Sequence, residues 1–95
     1  MTGPVLSGLT LDAVQAEAAR AYLRHGRHSM LGGANSESDR LAILTGEVGE
    51  VARELNEYRL GNLDGDDWKS RRVRELIQVA AMALSWVEHL EGHPE

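Results

Sequence analysis

The sequence predicts an all-α protein with three main helices, the second and third forming an antiparallel hairpin, and a helical bundle completed by oligomerisation. Apolar residues recur at three- and four-residue spacing through three stretches, which glycine-rich or polar breaks separate. The last stretch is apolar nearly all round from Val79 to Val87. Such a helix needs cover on more than one side, and two companions in one chain hardly supply it, so a homodimer or a dimer of dimers is expected.

In the first stretch, Leu11, Val14, Ala18, Ala21 and Tyr22 form one stripe with Leu23 beside it. Thr10 is the expected N-cap and the helix should run to about His25, leaving residues 1–9 as a loosely held arm. GRHSMLGGAN, residues 26–35, breaks the periodicity and reads as a loop. Ser36 with Asp39 three residues on resembles a capping box, so the second helix should start there and end near Leu60, with Gly61 as its left-handed terminator. Its expected core stripe is Leu41, Leu44, Val48, Val51, Ala52 and Leu55. After the polar turn of residues 61–66, Asp66 or Asp67 should cap a third helix running to about Leu90, with Gly92 and Pro94 beyond it. There Val73, Leu76, Ile77, Ala80, Ala83, Leu84 and Val87 make one face, and Glu75, Gln78, Val79, Met82 and Trp86 the other.

At 95 residues the chain is long enough for one core and too short for two, so residues 1–95 are read as a single domain. With no cysteine, neither a disulfide framework nor a thiolate zinc site is available. A net charge of -5 argues against a nucleic-acid polymer as partner, which would need a basic face. No long apolar run or leader pattern appears, so no membrane partner and a cytoplasmic location are expected.

Glu47 and Glu50 lie three residues apart on the second helix, as do Glu75 and Gln78 on the third, and residues so spaced are surface neighbours. Across the hairpin, Glu47 falls opposite Gln78 and Glu50 opposite Glu75, to within about one residue, or roughly 1.5 Å of rise. Four oxygen-bearing side chains at one level suit Mg2+, or Mn2+, both of which prefer oxygen ligands. The competing reading makes Glu47 and Glu50 part of a solvated acidic strip with Glu54 and Glu57, and pairs Glu75 with Arg71 or Arg72.

GEVGEVARE, followed after a short turn by RELIQVAAMALSW, resembles the MazG-like family of all-α nucleoside-triphosphate pyrophosphohydrolases, over residues 41–90. By that resemblance Glu47, Glu50 and Glu75 are catalytic and hold Mg2+ on a nucleoside triphosphate. Water then attacks between the α and β phosphorus, giving the monophosphate and pyrophosphate, and one glutamate orients or deprotonates that water. The chain departs from the family pattern at Gln78, which stands where the family has an aspartate as fourth metal ligand and offers a carbonyl oxygen without charge. A unit charge about 4 Å from another is worth roughly 4 kcal/mol at an effective dielectric near 20, so the departure implies reduced activity unless Glu54 or substrate phosphate supplies the charge. The alternative is a catalytically inactive helical module for nucleotide sensing or subunit association. By the same resemblance, the family's contacts to substrate beyond the third helix are expected to be absent or replaced.

Lys69, Arg71, Arg72 and Arg74 form a basic cluster that either meets substrate phosphate or pairs with Glu54 and Glu57. His25 and His28 suit a helix C-terminus, with a metal role as the alternative, and His89 and His93 read as surface residues. Trp86 and Met82 read as core or subunit interface against a base-stacking role, and Trp68 as either a hydrophobic staple or a ligand contact.

Overall fold

A computed structural model describes Gly3, residues 5–61 and residues 67–92. It contains α1 (Gly8–His25), a 3-10 turn (Gly26–His28), α2 (Glu37–Arg59) and α3 (Trp68–Glu91). The predicted polar turn at residues 62–66, the alternative cap Asp66, and His93 and Pro94 lie outside the described residues. No helix among the described residues is long and apolar enough to cross a membrane.

α1 starts earlier than expected, because Ser7 rather than Thr10 caps it. Ser7 has extended backbone, and its hydroxyl accepts from the Thr10 amide at 3.2 Å. The capping box at α2 forms as predicted: the Asp39 amide donates to Ser36 Oγ at 3.1 Å, and the Asp39 carboxylate accepts from the Ser36 amide at 2.9 Å. That amide, with the Ser36 side chain, holds the Asp39 carboxyl below its usual range. Gly61 and Gly92 follow α2 and α3 at φ 78° and 67°, a region that glycine enters without steric cost. Asp67 occupies the cap position of α3, but its side chain makes no capping hydrogen bond.

α3 is the middle of the fold: α1 and α2 each pack on it, and not on each other. The hairpin register follows the expected pairing. Glu54 meets Arg71 at 3.8 Å, Tyr58 packs against Trp68 in a tilted arrangement with ring centroids 5.5 Å apart, and at the far end the Trp86 indole donates to Glu37 at 2.8 Å. α3 divides as predicted only in part, since Ile77, Ala80 and Ala83 of the first face are half-buried and the most enclosed residues, Ala81 and Ser85, had been assigned to neither face. Gln78, Val79, Met82 and Trp86 turn toward the other helices, while Val73, Leu76, Leu84 and Val87 are exposed.

The α2 stripe differs from expectation. Leu44 and Val51 face inward, whereas Ala52 is exposed, as are Leu41, Val48 and Leu55. These last three are seven residues apart, so they form their own line along the helix, rotated away from α3 by roughly a quarter turn. In α1 Val14 is buried, but Leu11, Tyr22 and Leu23 are exposed. The radius of gyration is 15.1 Å, where a chain of this length packs to about 12 Å. The accessible surface is 6935 Å², whereas a 10.4 kDa monomer ordinarily exposes about 5,400 Å².

Candidate active site

Because α1 and α2 touch α3 and not each other, a cleft opens between them with α3 as its floor. It forms a cavity of about 330 Å³, with Gln78, Ala81, Met82 and Ser85 along the floor. Glu17 and Ala21 of α1 make one wall and Ile43 and Glu47 of α2 the other. The loop after α1 closes one end with Ser29, Met30 and Leu31.

That loop, which carries no readable pattern in the sequence, is tightly built. The Ser29 hydroxyl donates to the Gly26 carbonyl at 2.7 Å, the Gly32 amide donates back to Ser29 Oγ at 3.1 Å, and the Asn35 amide group donates to the His28 carbonyl at 2.8 Å. Gly32 is required there, since a Cβ would lie 2.3 Å from the Arg27 carbonyl oxygen. The loop is held from inside by Arg40, a residue 2% exposed. Its guanidinium donates to the carbonyls of Met30 (3.2 Å), Gly32 and Asn35, and lies 3.8 Å from the Glu37 carboxylate. The fixed fork of five N–H donors explains how one side chain serves three carbonyls. His89 is half-buried rather than a surface residue: its Nδ1 lies 3.3 Å from the Leu31 carbonyl, tying α3 to the same loop.

Next to the cavity, one turn toward the hairpin connection, carboxylates gather. Glu47 lines the cavity beside Gln78, and Glu75 follows on α3. The Glu75 carboxyl is pushed up to about 7, first by its hydrogen bond with Glu54, then by burial and the Glu54 charge. Glu47 adds to the rise, and Arg71 opposes it. Glu75 Oε1 is buried without a hydrogen-bond partner. Two carboxylates in contact cannot both carry bare charge at low cost, so they hold either a proton or a cation between them.

Glu50, predicted beside Glu47, points instead to the exposed side of α2 and pairs with Arg53. Glu54 is the acid that meets Glu75. The acidic strip was legible, but a few tens of degrees in helix orientation decide which of its members turns inward, and the spacing of glutamates does not carry that angle. Among the described residues no three His, Asp or Glu side chains converge closely enough to hold a metal ion.

The basic cluster separates into distinct roles. Arg71 pairs with Glu54, Arg72 lies over the Trp68 ring at 5.7 Å with its Nε buried and unpartnered, and Arg74 is exposed. Trp68 thus packs between Tyr58 and Arg72. His25 and His28, assigned by sequence to the helix end, both line the cavity. No family model matches the chain, and no curated protein or solved structure is detectably similar to it.

Proposed function

We propose that the protein is a Mg2+-dependent nucleoside-triphosphate pyrophosphohydrolase of the MazG-like type, acting as a homo-oligomer. The observation that carries this reading is the contact between Glu54 and Glu75 beside a cavity of nucleoside size, with a buried carboxylate oxygen left unpartnered. The chemistry of these acids suits a hard divalent ion: Glu47, Glu54 and Glu75 would supply oxygen ligands once a cation drew them together, and a cation can replace the proton that Glu75 retains near neutrality. Glu50, one turn from Glu47, is the remaining acid of the predicted set but pairs with Arg53 on the exposed side, and Gln78 adds a neutral carbonyl oxygen. Mg2+ would supply charge neutralisation on the triphosphate.

The remaining work falls to the chain. The cavity between α1 and α2 takes the base and sugar, with Met82 and Ile43 as apolar contacts, and so orients the phosphate chain toward the carboxylates. One of these glutamates would orient or deprotonate the attacking water, as the family resemblance implies. Arg71 lies beside the same acids and suits the product pyrophosphate, with Arg72, over Trp68, next to it in sequence. Pyrophosphate release from a panel of nucleoside triphosphates, with Glu50→Gln as a comparison, tests the reading. Absence of metal-dependent release from every nucleotide would remove it and favour a nucleotide-sensing or subunit-association module, for which the neutral Gln78 is the motivating feature.

Association follows from the uncovered apolar faces. Leu41, Val48 and Leu55 on α2 and Val73, Leu76, Leu84 and Val87 on α3 lie outside the single-chain core. The surplus of about 1,500 Å² over an ordinary monomer exceeds the roughly 800 Å² per partner of a standard interface. A second copy facing the same layer gives a four-helix core with α1 on each outer side. Light scattering should report a dimer or larger at micromolar concentration, and Leu84→Glu should shift it to monomer. A wild-type monomer would contradict this part.

A further inference from the structure

Ser85 interrupts the apolar run of α3, is 7% exposed, and borders the cavity near its loop end. A serine inside a helix ordinarily returns its hydroxyl to the carbonyl four residues earlier. Here the Ser85 oxygen is not among the enclosed polar atoms left without a partner, which among the described residues are Arg72 Nε and Glu75 Oε1, so it is not a sealed, orphaned hydroxyl. Its position on the cavity floor lets the hydroxyl meet a ligand there, whereas for the helix alone alanine would serve better. The other buried hydroxyl of the cavity, that of Ser29, is already engaged by Gly26 and Gly32.

Gln78 lies two turns back along the same floor, about 10 Å away, with Ala81 and Met82 between them. The floor therefore reads polar, apolar, polar over the length of a nucleoside. We propose that Ser85 is a specificity-determining residue, whose hydroxyl hydrogen-bonds the outer edge of the nucleobase seated over Ala81 and Met82. This rests on the reading above that the cavity takes the nucleoside part of the substrate. A hydroxyl can donate or accept, so it distinguishes bases by what they present at that edge.

The test compares wild type with Ser85→Ala and the nearly isosteric Ser85→Cys. Three quantities are measured: kcat/KM with Mg2+ for the four common deoxynucleoside triphosphates, binding of the four free deoxynucleosides without metal by NMR titration, and the thermal midpoint. Both variants should reduce the preference for the best base about tenfold, the scale of one neutral hydrogen bond, chiefly through KM. Nucleoside binding should weaken in step, and the Ser85→Ala midpoint should equal or exceed wild type. An unchanged order and ratio of bases, a midpoint lowered by Ser85→Ala, or no binding of any nucleoside to wild type would each overturn the assignment. Nucleoside binding that responds to Ser85 in a protein that hydrolyses no triphosphate would sink the hydrolase reading and leave this one standing. Turnover with a base ratio indifferent to Ser85 would do the reverse.

Discussion

Arg40→Met is expected to lower the unfolding free energy by on the order of 3 kcal/mol and the thermal midpoint by roughly 15 °C. The arginine is almost wholly enclosed, and its guanidinium serves the carbonyls of Met30, Gly32 and Asn35. Methionine fills much of the same volume and returns nothing to those oxygens, each a buried acceptor that costs about 1–3 kcal/mol when unmatched. Opening of the loop to water limits the loss, which is why the three contributions do not simply add. Arg40→Lys retains the charge but not the planar fork, so an intermediate loss is expected. Denaturant melts of the three proteins measure this directly. A midpoint for Arg40→Met within a few degrees of wild type would mean that the loop is held by other contacts.

Raising the pH should destabilise the metal-free protein, with Glu75 as the source. Its carboxyl titrates near 7 in the folded chain against 4.5 as an ordinary glutamate, because it shares a hydrogen bond with Glu54 and is partly desolvated. The folded state therefore holds a proton that the unfolded state has released between those two values. The associated stability is complete below about 4.5, declines as the pH rises, and is gone above about 7. Glu75→Gln removes the titration while its amide can still donate to Glu54. At pH 8 that variant should melt higher than wild type, at pH 4.5 the two should nearly coincide, and its Mg2+-dependent turnover should fall at least about a hundredfold. Parallel melting curves across this range for both proteins would show that the two carboxyls do not share a proton.

Much of the fold was readable because it depends on local chemistry. The Ser36 and Asp39 box, the terminal glycines and, in part, the two faces of α3 are each written in neighbouring residues. Even the hairpin register, read from the positions of Glu47 and Gln78 about the turn, agrees with the pairing of Glu54 and Arg71. What escaped depends on tertiary angle or on backbone partners. Arg40 looks like any surface arginine of a helix, since the carbonyls it serves leave no trace in side-chain identity. Ser7 and Thr10 are both acceptable caps, and only the extended backbone at Ser7 decides between them. The exposed line of Leu41, Val48 and Leu55 shares an apolar signature with Leu44 and Val51, so periodicity merged a core face with an uncovered one. The same small rotation put Glu54 where Glu50 was expected.

The central claim, that a divalent cation takes the place of the proton between Glu54 and Glu75, is tested most directly by calorimetric titration of Mg2+ in the presence of a non-hydrolysable nucleoside triphosphate at pH 6 and pH 8. Binding should tighten about tenfold over that interval, release close to one proton at pH 6, and lose both features in Glu75→Gln. Affinity that is the same at both pH values, or that survives Glu75→Gln unchanged, would contradict it.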